Sequence, residues 1–289
     1  MDQCIRKGST GFTLVELLVV ITIVTLLVAM LFPAVQMVRE ASRRTHCQSN
    51  QRQVVLAIHS FESSFGTLPP TNTTVPREHF LHFWTARLLP HLEQASLAEA
   101  LLKERRQALH VYQSSFRTYN VPVFQCTSNP DLGQIIKADQ GFLFAFSDYC
   151  GVAGSNLDNG LFPVGLPEAT DYRKFADVIG GLSNTLIFGE RPPSEIDEGF
   201  GSWLGGQNML SMSTYTNGTP LNFPAELLTG CRDRKFLGFQ PGERGSRCDW
   251  THHWSFHPQG ANFARADGSV TFVPYTIEEN VLAELASRF

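Results

Sequence analysis

The chain has 289 residues, enough for one large domain or two ordinary ones with a substantial apolar core. Hydrophobic residues make up 43% and charged residues only 17%, which excludes an intrinsically disordered or strongly polyelectrolyte protein. The formal net charge is −4 at pH 7, so overall charge gives no reason to expect nucleic-acid binding.

An apolar segment near the N-terminus is the first predicted element. The run Leu17–Phe32 has no charged residue and only two polar ones, Thr22 and Thr25. With its flanks, about residues 14–35, it is long enough to span a membrane as a helix. It exceeds the apolar core of a signal peptide and lacks an A-x-A-like end. A plain anchor, the other alternative, leaves Glu16 unexplained, because a carboxylate at the edge of a lipid-embedded run needs a partner.

The residues around this carboxylate form a motif. Gly11–Glu16 reads GFTLVE and follows Arg6 and Lys7, and it resembles the type IV prepilin processing motif. The resemblance implies cleavage after Gly11 by a prepilin peptidase and N-methylation of the new amine on Phe12. It also implies that Glu16, fifth in the mature chain, faces the amine of a neighbouring pilin or pseudopilin subunit. The implied fold is α+β and pilin-like, with a long N-terminal transmembrane helix packed on an antiparallel β-sheet head.

This organisation divides the chain into a leader (1–11), a spine helix (12–66) and an extracytoplasmic α+β head (67–289). The transmembrane half of the spine covers about residues 14–35. In its distal half, apolar residues recur at helical spacing and predict a face that packs on the head. These residues are Val54, Ile58, Phe61 and Phe65.

In the head, residues 84–102 predict one or two short helices interrupted by Pro90. Short apolar runs predict antiparallel strands at 121–124, 142–146 and 185–188, followed by a hairpin at 261–273. Asp267-Gly268 is the favoured pair for a type I′ turn in that hairpin. Thr276-x-x-Glu279 predicts a capping box that opens a short terminal helix.

The hairpin carries a second motif. His257, nine intervening residues and Asp267-Gly268 are similar to the C-terminal H-X9-DG element of a large family of prepilin-like proteins of unknown function. Four further stretches are similar to that family, namely 39–44, 126–130, 147–154 and 181–190. Because the activity of the family is not known, the resemblance implies architecture and processing rather than chemistry.

Candidate metal ligands cluster near the hairpin: His252, His253, His257 and Asp267. Their spacing fits no zinc template. We therefore expect His257 to bond a backbone carbonyl and the other two histidines to be solvated. The resemblance to pseudopilins also allows for calcium, with three carboxylates as candidate donors: Asp158, Asp171 and Asp177. Because no D-x-[DN]-x-[DN]-G loop is present, we predict no metal and no cofactor.

Catalytic motifs are absent from the sequence, which has no G-x-S-x-G, P-loop, G-x-G-x-x-G or H-E-x-x-H pattern. Glu190 follows a predicted strand and precedes Arg191, and we interpret this pair as a surface ion pair. The protein is therefore predicted not to be an enzyme.

Five of the six cysteines would remain after cleavage. In an oxidising compartment we expect disulfides Cys47–Cys126 and Cys231–Cys248. The sequence leaves the connectivity open, and reduced buried cysteines are the alternative.

These observations predict a structural subunit of a type IV pilus or a type II secretion pseudopilus. It would cross the inner (cytoplasmic) membrane once, and its partners would be the prepilin peptidase, the membrane and other pilin or pseudopilin subunits. The alternative is a pilin-anchored binding module, receptor or lectin-like, that does not polymerise. Exposed aromatics lining a groove, with Trp203 and Trp250 as candidates, would favour that alternative.

Overall fold

The computed structural model shows a long apolar N-terminal helix followed by short helices and antiparallel sheets, the predicted α+β pilin-like arrangement. The residues it describes are 13–70, 84–104, 114–137, 143–154, 159–162, 173–193, 239–244, 246, 249 and 252–289. The chain divides into two compact units, residues 1–42 and 43–289. The predicted leader, 1–11, lies outside the described residues.

Helix α1 spans Leu14–Phe65, close to the predicted spine. Within the second unit it buries the apolar face that the sequence predicted as far as Phe61. Phe65 is different, since 64% of its surface is exposed and its ring packs beside Phe61 and His91. The reason is that α1 ends there: Gly66 has a φ of +72°, and its N–H bonds the Glu62 carbonyl at 2.7 Å.

Two short helices follow, as predicted: α2 (Trp84–Leu88) and α3 (Ala95–Glu104), separated by a 3₁₀ turn at Leu89–His91. The predicted strand at 121–124 is wrong, because Pro122–Phe124 is a 3₁₀ helix. Pro122 has no N–H to give to a sheet and its fixed φ suits the first position of a helical turn. Val121 and Phe124 of this run are buried without forming a strand.

Among the described residues, the main sheet has four antiparallel strands in the order β3-β4-β5-β6. They are β3 (Tyr149–Gly151), β4 (Leu186–Glu190), β5 (Gly260–Arg265) and β6 (Val270–Pro274). A separate pair is formed by β1 (Ile135–Lys137) and β2 (Leu143–Ala145). Every residue of β4 is buried, and Gly189 is required there because a Cβ would lie 2.4 Å from the Phe263 ring.

The C-terminal hairpin joins β5 to β6, but its turn is not type I′. Arg265 pairs with Ser269 around three loop residues, and the Gly268 N–H bonds the Arg265 carbonyl at 3.0 Å. Only Gly268 takes a positive φ, +92°, whereas type I′ needs two such residues. The loop is therefore a turn followed by a glycine bulge.

Helix α4 spans Glu279–Ala286 and its N-cap is Glu278, which makes no side-chain capping bond. The predicted capping box from Thr276 is therefore wrong. Thr276 lies in the turn after β6, where the Ile277 N–H bonds the Pro274 carbonyl at 3.0 Å.

Successive side chains along β5 point to opposite faces of the sheet, and one of these faces packs against α1. Ala264 and Ala266 belong to the apolar cluster that includes Val54 and Ile58 of α1, while Phe263 belongs to a second cluster with α4. Asn262 has the same parity as Ala264, so this polar side chain also points toward α1.

Candidate functional site

The first candidate site is the beginning of α1. The Thr13 N–H and hydroxyl both donate to Glu16 Oε2 at 2.8 Å, and the Glu16 N–H donates to Thr13 Oγ1 at 3.2 Å. This is a capping box, in which two residues satisfy the exposed donors of a helix start. The processing residues Gly11 and Phe12 lie outside the described residues.

The helix that follows presents its apolar side chains outward. Those exposed between Leu14 and Val38 have 46–81% of their surface accessible. The hydroxyls of Thr22 and Thr25 bond carbonyls of their own helix, both at 2.7 Å. The segment is long and apolar enough to cross a membrane, and none of it is buried within the protein.

The second candidate site is a buried polar cluster in the second unit, which we call the Glu190 cluster: Glu190, His257, Asn262 and the Cys47–Cys126 pair. Glu190 ends β4 and is 1% exposed, so its interpretation as a surface ion pair is wrong. Its Oε2 accepts the Asn262 N–H at 2.7 Å and its Oε1 accepts the Asn262 Nδ2 at 3.0 Å. A buried carboxylate requires such donors.

His257, from the H-X9-DG element, completes the surroundings of this carboxylate. Its Nε2 lies 3.2 Å from Glu190 Oε1 and 3.4 Å from Cys126 Sγ, and its Nδ1 lies 3.3 Å from Ser128 Oγ. The backbone N–H of His257 donates to Ser255 Oγ at 3.0 Å. The expected bond from its side chain to a backbone carbonyl stays a prediction. Through the contacts above, the ring joins the hairpin approach to β4 and to the Cys126 segment.

Helix α1 closes the cluster from the other side. Gln48 Nε2 donates to Asn262 Oδ1 at 2.9 Å and Gln51 Nε2 donates to the Asn262 carbonyl at 3.1 Å. Cys47 lies one turn from Gln51 on the same helix and forms a disulfide with Cys126, across a sequence separation of 79 residues. The predicted pairing of Cys47 with Cys126 is therefore present.

The Cys126 segment is positioned by Asp148. Asp148 Oδ2 accepts the Cys126 N–H and Oδ1 accepts Asn129 Nδ2, both at 2.6 Å. Complete burial raises the pKa of Asp148 to about 7, against the lowering effect of these two bonds. A single carboxylate thus fixes the loop that carries one half of the disulfide.

The two neighbouring histidines are buried, not solvated as predicted. His252 lies 3.1 Å from Asp249 Oδ1, and His253 Nδ1 lies 3.1 Å from the Glu190 carbonyl. Burial, with the nearby charge of Arg191, lowers the pKa of His253 to about 3, so its ring is neutral at pH 7. Both histidines therefore belong to the packed interior beside Glu190.

Asp267 and Gly268, at the other end of the motif, serve the turn. Asp267 Oδ1 accepts the Ser269 N–H at 2.9 Å, while the Asp267 N–H donates to the Leu182 carbonyl at 3.2 Å. Burial opposes ionisation of Asp267, but the bonds from Ser269 and the charge of Arg265 outweigh it and lower its pKa. The motif therefore has two separate roles, a turn at one end and a buried histidine at the other.

Several other predicted site residues lie outside the described residues: Cys231, Cys248, Asp158, Asp171, Trp203 and Trp250. Asp177 is described, and its Oδ2 accepts the Lys174 N–H at 2.8 Å at the start of a 3₁₀ helix. Its described contacts bring no further carboxylate close enough to share a calcium ion with it.

Sequence reasoning missed the Glu190 cluster, because no spacing motif joins its residues. Three of the family-like stretches and the H-X9-DG element each supply one residue or support of the cluster: Cys126, Asp148, Glu190 and His257. What these four segments share in the sequence is their resemblance to one family.

Two family models match the chain, one over its N-terminal segment and one over most of the remainder. The prokaryotic N-terminal methylation motif matches residues 6–32, which implies processing by a peptidase and assembly with other pilin subunits. Together with the exposed apolar helix, the motif indicates a membrane-anchored protein. No curated protein and no solved structure shows significant similarity to the chain. A family described as "Protein of unknown function (DUF1559)" matches residues 36–280, most of the chain, and the protein belongs to that family.

Proposed function

We propose that the protein is a structural subunit of a type IV pilus or type II secretion pseudopilus, cleaved after Gly11 and N-methylated on Phe12. The observation that carries the proposal is the methylation motif at residues 6–32, joined to a helix whose apolar side chains lie exposed. The subunit would sit in the inner membrane with residues 67–289 outside the cytoplasm. The role is structural and requires no catalysis.

The start of α1 supports a mechanism for assembly. Glu16 accepts two bonds from Thr13, the residue just before α1, and a donor from a neighbouring subunit would compete with or add to them. Cleavage after Gly11 would create a charged amine one residue before Thr13. In lipid, an unpaired amine and an unpaired carboxylate are both costly, so helices from different subunits gain by pairing them.

Mass spectrometry of the N-terminal peptide from native membranes tests the processing. A chain that begins with N-methyl-Phe12 is the expected result. A chain that begins at Met1 would leave a plain anchor, and one that begins near residue 35 would mean a secreted head released from a signal peptide.

Assembly needs a separate test, because a pilin-anchored binding module would be processed without polymerising. We expect the processed chain in sheared filaments, and we expect Glu16→Gln to be cleaved normally but absent from them. Thr25→Val is the matched control, since its hydroxyl lies in the same apolar segment and bonds only its own helix in the described contacts. If the unaltered chain and the Thr25→Val control are both processed but remain in the membrane, the result would favour the binding module.

A further inference from the structure

We infer that Cys47, Cys126, His257 and Glu190 form a binding site for one zinc ion when the two cysteines are reduced. This goes beyond the proposed function. Of the candidate metal ligands named from the sequence, the set contains His257 but not His252, His253 or Asp267. The four residues come from α1, the Cys126 segment, the hairpin approach and the end of β4.

The geometry of the ligand atoms supports the site. One atom from each residue lies within 4.8 Å of all the others, and all four residues are buried. Tetrahedral zinc with bonds of about 2.0–2.3 Å places neighbouring ligand atoms roughly 3.3–3.8 Å apart. The Cys126 Sγ–His257 Nε2 distance of 3.4 Å and the His257 Nε2–Glu190 Oε1 distance of 3.2 Å already lie near those values. Separation of the two sulfurs on reduction is the main adjustment required.

The donor set selects the metal. Two thiolates, an imidazole and one carboxylate oxygen are ligands that zinc takes in four-coordinate sites. Calcium and magnesium prefer oxygen ligands throughout, so the two sulfurs exclude them. Four protein ligands leave no open position, which makes the site structural.

Groups outside the ligands are arranged to support them. The Thr127 N–H donates to Cys47 Sγ at 3.2 Å, and Ser128 Oγ lies 3.3 Å from His257 Nδ1. If Nδ1 carries the proton and donates it to Ser128, the Nε2 lone pair is directed at the metal. Glu190 keeps its two bonds from Asn262, which disperse the negative charge that three anionic ligands bring into the interior.

Zinc binding and disulfide formation are then alternative states of one cysteine pair. The nascent chain carries both cysteines as thiols, and binding of zinc releases two protons. Transfer of two electrons to the disulfide of an oxidising thiol–disulfide exchange protein forms the Cys47–Cys126 bond and releases zinc. The exchange protein, taking up two protons, becomes a dithiol.

The test uses the full chain in detergent, reduced with a phosphine under nitrogen. The phosphine takes one oxygen from water and becomes its oxide, and the two sulfurs take the two protons. With zinc alone as the probe, we expect one ion per reduced chain and none in the same chain left oxidised. Cobalt alone should give the visible absorption of a tetrahedral thiolate site. An absence of binding by the reduced chain, or equal binding by both forms, would overturn the inference.

The identity of the ligands is tested on the unaltered chain and on variants. X-ray absorption at the zinc edge should show two sulfurs at about 2.3 Å and two nitrogen or oxygen atoms at about 2.0–2.2 Å. A shell of four sulfurs, or one without sulfur, would contradict the assignment. Cys47→Ser/Cys126→Ser should lose zinc, whereas the matched control Cys231→Ser/Cys248→Ser should keep it, and the opposite pattern would place the site elsewhere.

Ser128→Ala provides a milder test, because the residue is not a ligand. We expect zinc affinity to fall about 10–100-fold through loss of the orientation of His257, while two sulfurs remain among the zinc ligands. The denaturation midpoint of the oxidised chain should also fall, because the substitution removes a hydrogen-bond partner of a buried ring. Unchanged affinity would refute the assigned orientation of the ring.

Discussion

The substitution Glu190→Gln should destabilise the protein far more than its small chemical change implies. Both carboxylate oxygens of Glu190 face donors of Asn262, at 2.7 and 3.0 Å, in a site only 1% exposed. A glutamine amide must turn its NH₂ toward one of these donors, so one bond is lost and a buried donor is left without an acceptor. Bonds to a charged group contribute about 1.5–3 kcal/mol, and an unsatisfied buried donor costs about 1–3 kcal/mol. These two figures describe the same lost bond and are not added, so we expect the free energy of unfolding to fall by about 1.5–3 kcal/mol.

The assay is denaturant unfolding of the oxidised full chain in detergent, followed by tryptophan fluorescence, since Trp84 and Trp254 are buried. Glu99→Gln is the matched control, because Glu99 pairs with Lys103 on an exposed helix surface, where both side chains are 69–77% exposed. That change should alter the free energy of unfolding by no more than about 0.5 kcal/mol. If the two substitutions have equal effects, the carboxylate of Glu190 is not the anchor that its contacts indicate.

Three further changes are expected to have measurable effects. Loss of the disulfide in Cys47→Ser/Cys126→Ser opens a loop with a sequence separation of 79 residues and should lower the free energy of unfolding by about 2–4 kcal/mol, measured by the same unfolding assay. Gly268→Ala forces a side chain into φ +92° and should cost about 1–2 kcal/mol by strain alone, because the nearest atom to a new Cβ is 4.0 Å away; an unchanged midpoint would contradict this. Burial acts to raise the pKa of Glu104, but bonds from neighbouring serine residues outweigh it, so its pKa is lowered and its stabilising effect is present at neutral pH and lost as pH falls through the folded value. Titration of the unfolding midpoint between neutral and acidic pH should show this loss, and Glu104→Gln should remove it.

The sequence allowed prediction of the elements whose signals are local. The apolar run at 17–32, the GFTLVE motif and the helices on either side of Pro90 depend on residues close together in the chain. The hairpin at 261–273 was also predicted, but its turn type was not. Asp-Gly suits both a two-residue turn and a three-residue loop with a glycine bulge, and only pairing of Arg265 with Ser269 distinguishes them.

The Glu190 cluster could not be predicted from spacing, because its residues meet only through the tertiary fold. Glu190 and Asn262 are 72 residues apart, and Cys126 and His257 are 131 apart. Charged and polar side chains usually lie at the surface, so Glu190 and His252 were both wrongly predicted to be exposed to solvent. What places them inside is the supply of partners from other strands, which no local pattern contains.

Glu16 and Glu190 are both carboxylates in apolar surroundings, but their hydrogen-bond donors come from different parts of the chain. We argue that this difference determines what each carboxylate can do. The described partners of Glu16 belong to Thr13, so exchanging them for a neighbouring subunit's amine leaves α1 intact beyond its first turn. The partners of Glu190 are the backbone and side chain of Asn262 in the adjacent strand, so exchanging them would leave buried donors of Asn262 without an acceptor. A carboxylate of the first kind is available for intermolecular pairing, whereas one of the second kind can only add a partner on its remaining side. This difference is why we assign assembly to Glu16 and a structural metal to Glu190.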